Sequence, residues 1–416
     1  MGVSKSENAE KNAVSVQFSK QPLESSYDVI IIGGAMLGSS VAWFLSQNSD
    51  FNGTVLVIEK DASYSMCSTA HTNSCMRQQF STELNIRISQ FGANFVRNFR
   101  SYMGDDPDIP DLHFQPFGYM YLADNETFAD TLRASQKIQQ ACGAGTKIMS
   151  PDAIGEAYTF YNLDDIILGS HNLVDEGYFD GHSLFDWWKR KARKNGVEYI
   201  ENEVVSIDVA HDKVTNVILS SGEQISCGHV VNASGPRAVL TARMAGLDLP
   251  VEPRRRYSFI FDAETRLDRD LPLTIDPSGV HMRSDSIYYM AGCPPENDVD
   301  VDYDDFEMDH AIWLDKAWPA IANRIPAFEA IKLINSWVGH YAYNKLDQNA
   351  IIGAHPERPN FMFINGFSGH GLQQSPAMGR AMSELLTYGE YRSLDLSPLG
   401  YERVMRNEPL LETAVI

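Results

Sequence analysis

The sequence predicts an α/β protein: a discontinuous first domain built around a parallel strand–helix–strand unit, with a second, sheet-rich α+β domain inserted into it. Three observations predict this. Val29–Ile32 and Val55–Ile58 are apolar runs flanking a glycine turn and a helical pattern from about Ala35 to Ser46, the arrangement that builds parallel sheets. From Val251 to about Ile334 the stretches "RRRYSFIFD", "GVHMR" and "SIYYMAG" favour strands,. The chain then returns to strand, Gly-rich turn and helix in "NFMFINGFSGHGLQQSPAMGRAMSELL".

The intervening elements follow in order. A helix is expected from Glu83 to about Tyr102, and "GDDPDIPD" marks a boundary after it,. "FGYMYLA" reads as a strand, Thr127–Cys142 as a polar helix, and Ser150-Pro151-Asp152 as a helix start,. "HSLFDWWKRKARKNGVEYIENEVVSIDV" reads as helix, Asn-Gly stop and strand, leading to "HVVNASG" at the return to the first sheet. The acidic run "ENDVDVDYDDFEMD" is expected to be a solvated loop; it lacks the ligand order and glycine of a calcium loop, and no metal is expected,. The expected division is a flexible leader at 1–26, a first domain from 27–110, 150–250 and 335–395, a second from 111–149 and 251–334, and a tail at 396–416.

Composition narrows the function. At 416 residues, 44% hydrophobic and 21% charged, the chain belongs with globular proteins,. Its 34 basic and 55 acidic side chains give a net charge of −21, which repels nucleic-acid backbones and anionic lipid surfaces,. No apolar run approaches the roughly 18 residues needed to cross a bilayer. Cys67, Cys75, Cys142, Cys227 and Cys293 form no Cys-x-x-Cys pair, which suits a reducing compartment,. Residues 1–26 lack a signal or transit pattern, so the cytoplasm is the expected location.

The turn Gly33-Gly34-Ala35-Met36-Leu37-Gly38 departs by one methyl from the Gly-x-Gly-x-x-Gly of dinucleotide sites,. Gly33 allows the tight turn, Gly38 lets strand and helix pack closely, and the helix amino end attracts the pyrophosphate. Ala35 keeps its amide, so the anion site survives if φ stays negative. Glu59, about twenty residues beyond Gly38, stands where an acid accepts ribose hydroxyls. The alternative is an ordinary strand–helix turn with a surface glutamate.

"GFSGHGLQQSPAMGRAMSEL", "VVNASG" and "STAHTNSCMRQQF" together resemble the D-amino-acid oxidase superfamily of FAD-dependent oxidoreductases, over Tyr27 to about Leu386. Within it, "QQFSTELNIRIS", "VEPRRRY" and "YAYNKLDQNAIIGAHP" are most similar to two groups: FAD-dependent oxidoreductase domain-containing complex I assembly factors, and bacterial sarcosine, dimethylglycine and proline dehydrogenase subunits. The resemblance implies a Rossmann-like FAD-binding domain with an inserted antiparallel-sheet substrate domain. It implies FAD contacts at Gly33, Gly34, Ala35, Gly38, Glu59 and Lys60, at Ser68 and Thr69 by the pyrophosphate, and at Val204 by the adenine. It adds Ala233 and Gly235 along the chain, and Gly369, His370, Gly371, Leu372 and Gln373 at the ring. The helix after Gly369-His370-Gly371 would aim a positive end at the reduced, anionic ring edge.

The implied reaction oxidises the C–N bond of a secondary or N-methyl amino acid to an imine. Arg77 is implied near the reactive face, as a flavin or substrate contact or as a plain structural ion pair. Tyr257, His281, Arg283, His340 and Tyr341 are further pocket candidates. Of Arg254, Arg255 and Arg256, alternation turns Arg255 away from its neighbours, and at least one is expected to be a surface charge. Gln373 replaces a carboxylate-gripping lysine of monomeric sarcosine oxidases, and "SIYYMAG" lacks their oxygen-activating lysine. Both departures favour a dehydrogenase or a different substrate grip. Ser68-Thr69-Ala70-His71 matches a stretch that carries a flavin-linked histidine, so His71 is a position for a covalent bond; His340 is a second, and a non-covalent FAD is the main expectation. The acceptor is left open among dioxygen, quinone or an electron-transfer protein. The alternatives are a 2-hydroxy acid dehydrogenase, with His281 or His340 as base, and a flavoprotein assembly factor with little turnover.

Overall fold

The computed structural model describes residues 18–413. At its centre strand Ser26–Ile32 runs parallel to Val55–Glu59 on one side and to Gln224–Asn232 on the other. Glu198–Glu201 adds a parallel strand beyond Val55–Glu59, and Arg358–Asn365 pairs in parallel with Gln224–Asn232. Antiparallel strands Val204–Ala210, Lys213–Leu219 and Ile351–His355 complete the sheet. Ile30 and Ile31 are fully buried, because helices or other elements cover both faces; that is why these strands read as unbroken apolar runs rather than alternating ones.

Helices Met36–Gln47, Gly181–Lys194 and Gly371–Tyr388 cover one face around Trp43, Trp188 and Met378, while Ala238–Met244 and its neighbours cover the other. Met36–Gln47 and Gly371–Tyr388 lie side by side, pairing Ser40 with Ser375 and Asn48 with Thr387, so the two run parallel. A Cβ added to Gly379 would overlap Ser40. Pro376, inside the second helix, cannot donate to the carbonyl of Leu372; the Ser375 hydroxyl does so instead, at 2.7 Å,.

The second sheet has the order Ile331–Asn344, Val251–Ala263, Tyr288–Cys293, His281–Asp285, Leu273–Ile275, Tyr119–Ala123, Leu168–Asn172, Lys147–Met149. Its pairs are antiparallel except Leu273–Ile275 with Tyr119–Ala123, so it is mixed rather than purely antiparallel. The expected α/β architecture is present, with no closed barrel among the described residues.

Local pattern misplaced some segments. Leu168–Asn172 and Ile331–Asn344, whose residues fall largely in ranges expected with the first sheet, pair in the second. A strand's own residues do not say which distant strand satisfies its amides. Of the expected flexible leader, 1–17 lie outside the described residues, but Phe18 is buried against Tyr199 at 5.5 Å and Ser19 bridges to Ile200. The expected tail is docked too: Tyr401 stacks on Phe363, and Arg403 forms a buried pair with Asp347 at 2.8 Å. Residues 414–416 lie outside the described residues.

Replacing Gly379 with leucine should force the two parallel helices apart and cost about 2–3 kcal/mol. A chemical-denaturation midpoint unchanged from the parent would show that the contact yields cheaply.

Candidate active site

A cavity of about 490 Å³ opens at the carboxyl ends of the parallel strands, lined there by Ile32, Ile58, Ala233 and Asn365. This is where ligands bind in open parallel sheets. The cavity continues to the second sheet, where Tyr119, Arg256, Tyr257, Leu273, His281 and Tyr341 line it.

The glycine turn forms its near end. Gly33 adopts φ +99° and donates its N–H to Ile58 O at 2.9 Å. Gly38 packs on the Gly33 carbonyl so closely that a Cβ would overlap it, and Gly34 is pressed between Val57 and Glu59. Neither Gly34 nor Gly38 lines the cavity; their place is in the packing of the turn. Glu59 accepts the N–H of Gly34 at 2.8 Å and of Asp61 at 2.9 Å, and burial raises its carboxyl pKa above the ordinary range. Ala35 has φ −71°, so its methyl needs no strained backbone. The helix it begins has no side-chain cap at Ala35 and no acidic residue in its first turn. Thr69 stands 3.4 Å from the Met36 amide. An open helix end flanked by Gly33, Ser68 and Thr69, with a carboxylate closing the next strand, fits a dinucleotide's pyrophosphate and ribose.

Lys60 pairs with Glu203 at 2.8 Å beside Val204 at the far end, and Gly235 lies near Ala233 along the same wall. Ser68 donates to His340 O at 2.6 Å, and His71 Nδ1–H donates to Cys67 O at 3.1 Å, leaving the lone pair on Nε2. Burial lowers the His71 pKa.

At the other end Gly369 has φ +97°, and a Cβ there would strike the Tyr341 ring. His370, Gly371, Leu372 and Gln373 follow, all lining the cavity. Arg77 is 1% exposed. Its backbone N–H donates to Gln373 Oε1 at 2.8 Å, Nη2 to His370 Nε2 at 3.0 Å, and Nη1 to Gln79 O. Arg77 thus braces the turn as well as lining the cavity. Burial, with the Arg77 charge beside it, holds His370 neutral, its proton on Nδ1.

Tyr257 is buried in the wall. His281 Nε2 accepts from the Asn73 amide at 2.6 Å, and burial followed by the charges of Arg283 and Arg256 lowers its pKa to about 4. Arg283 is tied to Asp285 and Asn73 O and does not line the cavity. His340 donates Nε2–H to Asp305 O at 2.8 Å and stacks on Phe306 with ring centres 4.1 Å apart.

The acidic run refines one expectation and corrects another. It is a largely exposed loop, as expected, but one pinned as a strap across the cavity, and Arg254, Arg255 and Arg256 all hold it. Asp298 takes both Nη atoms of Arg256, at 2.8 and 3.0 Å, and one of Arg254 at 3.5 Å. Asp305 pairs with Arg255 and Asp304 with Arg237. The Val301 amide donates to Pro253 O at 3.1 Å. Single exposed pairs contribute about 0–1 kcal/mol each; here one fork, Arg256 on Asp298, and three single pairs act on one segment. Tyr303, Asp304, Phe306, Asn73 and Arg237 are cavity residues that sequence reasoning missed. The signal was the match between three consecutive arginines and an acidic run some forty residues later.

A nucleotide cradle at strand ends, joined through one cavity to a second large sheet, defines a flavoprotein oxidoreductase. The chain belongs to the DAO family, the FAD dependent oxidoreductases, whose description matches residues 28–385; its cofactor is FAD. It is 36% identical to FAD-dependent oxidoreductase domain-containing protein 1 of Xenopus laevis, over 94% of this chain and 85% of that one. It is 23% identical to the mitochondrial sarcosine dehydrogenase of Mus musculus, over 92% of this chain and 42% of that one. Among solved structures, L-proline dehydrogenase from P. horikoshii matches with a TM-score of 0.81 and 25% identity, covering 93% of this chain and all (100%) of the other. Glycine oxidase from Geobacillus kaustophilus shares the fold, with a TM-score of 0.76 at 19% identity over 91% and 98%. Among the described residues no helix is long and apolar enough to cross a membrane.

His281 supplies a pH test. Its folded pKa of about 4 lies below the 6.5 of the free side chain, so the unfolded chain binds the proton first. Its contribution is fully present above pH 6.5 and is lost as pH falls toward 4, on the order of 3 kcal/mol. Stability curves for His281→Gln should fall less steeply across this window than those of the parent; parallel curves would refute the assignment.

Proposed function

We propose that the protein oxidises the C–N bond of a secondary or N-methyl amino acid to an imine. FAD, when bound, would supply two-electron acceptance; a neutral amine would lose a hydride equivalent from the carbon next to nitrogen as the nitrogen lone pair closes the C=N bond, and the iminium would pass its proton to water and be hydrolysed. The protein's part is positioning and exclusion of water. Tyr119, Tyr257, Leu273 and Tyr341 wall the second-sheet end of the cavity, and the strap at Tyr303–Phe306 covers it. Arg256 lies against the Tyr341 ring at 4.5 Å beside this space, with both Nη atoms on Asp298, so a substrate carboxylate would compete with Asp298 for it,.

One observation favours an amine over a hydroxy acid. A C–OH donor needs a base for the hydroxyl proton, and both candidates are compromised. His281 has Nε2 committed to Asn73 and a pKa of about 4, too weak a base at neutral pH. His340 donates Nε2–H to Asp305 O and keeps its lone pair on Nδ1, but burial lowers its pKa and weakens it as a base. A neutral amine asks no such base of the protein. The similarity to an L-proline dehydrogenase and to sarcosine dehydrogenases supports the same choice.

Anaerobic addition of sarcosine, dimethylglycine or proline should bleach the flavin bands, while malate and 2-hydroxyglutarate should not. Bleaching by the hydroxy acids alone would overturn the proposal, and bleaching by neither set would leave a flavoprotein with little turnover. The cofactor is held without a covalent bond in this reading. Acid precipitation should therefore give a colourless pellet and a yellow supernatant; a yellow pellet lost on His71→Ala would instead place a bond at His71.

A further inference from the structure

We propose that Glu176 is a positioning residue for the ring end of the cavity, holding the Arg77–Gln79 segment and setting the charge that Arg77 presents to the His370–Gln373 helix end. This rests on the flavin reading for where the ring lies. Glu176 is 0% exposed and does not line the cavity, so it acts only through other groups. Its Oε1 accepts the Gln78 backbone N–H at 2.6 Å and the Asn172 amide at 2.8 Å; its Oε2 accepts the Gln79 amide at 2.9 Å. The orientation of Gln79 is fixed from its other end, because Ser170 donates to Gln79 Oε1 at 2.7 Å.

All three bonds use acceptor lone pairs of Glu176; protonation removes its negative charge and turns one lone pair into an O–H donor, which weakens the bonds it accepts,. The disturbance falls on the peptides next to Arg77, whose Nη1 is bound to Gln79 O and whose own N–H and Nη2 reach Gln373 and His370. Burial raises the Glu176 pKa to about 7, against the opposing pull of the Gln79, Gln78 and Asn172 donors and then of Arg77. Tyr119 and Tyr121, on the facing strand, and His370, beyond Arg77, are uncharged near that pH, because burial raises the two tyrosines and lowers the histidine. Glu412 lies past Tyr121, held by Thr82 and Asn85. Glu176 therefore changes charge where Arg77 can report it. Protonated, it leaves the Arg77 charge less compensated, which stabilises electrons on the ring.

The test uses FAD-loaded full-length protein and reads the flavin absorption maximum and reduction potential from about pH 6 to about pH 8. In the parent both should show a transition near pH 7, the potential rising above its ordinary slope on the acid side. Glu176→Gln should lose the transition and stay at the acid-side value, and Glu176→Asp should restore a transition. A parent without any transition, or Glu176→Gln with the parent's, overturns the proposal even if other variants fold poorly. Failure of the parent to bind FAD would instead count against the flavin reading, since that is read from the cofactor bands before any titration.

Discussion

The contact between helices Met36–Gln47 and Gly371–Tyr388 is the constraint on which the site depends. Ser40 donates to Ser375 O at 2.7 Å across more than three hundred residues of sequence, and Gly379 leaves room for that approach. Because the helices run parallel, their amino ends point into the same cavity, one beside Gly33 and Ala35, the other beside Gly369 and His370. Two positive helix ends in one cleft suit a ligand with a pyrophosphate at one part and an electron-accepting ring at another. Ala35 does not disturb this, since its φ is negative and its amide still begins the helix.

The second constraint is charge pairing across the cavity mouth. A chain with a net charge of −21 spends four arginines, at 237, 254, 255 and 256, on its own acidic strap. The pairing brings Tyr303, Asp304 and Phe306 to the cavity and orients His340 through Asp305 O. An acidic run in water gains little from its own charges; opposite guanidinium groups, one of them a fork, tie it down as a cover.

The ring end is arranged to keep ionisable groups quiet. His281 and His370 are neutral through burial and neighbouring arginines. Arg77 is spent on bracing Gln373, His370 and the Gln79 carbonyl. Such a site favours chemistry driven by placement over chemistry driven by a protein base, consistent with an amine donor. Behind this wall, burial raises the Glu176 carboxyl pKa to about 7.

The strand–turn–helix–strand unit was legible because its signals are local: apolar Val29–Ile32, Gly33 for a positive φ, and Gly38 for close packing. The DAO family and FAD were legible because Gly369-His370-Gly371 and "VVNASG" are contiguous motifs. Pairing was not legible. Ile331–Asn344 could satisfy its amides against either sheet, and only the register with Val251–Ala263 decided it. Likewise nothing local to "ENDVDVDYDDFEMD" says that its carboxylates meet Arg254–Arg256, nor that Asn73 occupies His281. Sequence by itself determined the cofactor cradle, whose backbone demands specific residues at specific spacings. Tertiary structure decided the partners of Arg77 and the protonation and partners of Glu176, His281 and His340, because burial and long-range contacts, not residue type, set those energies.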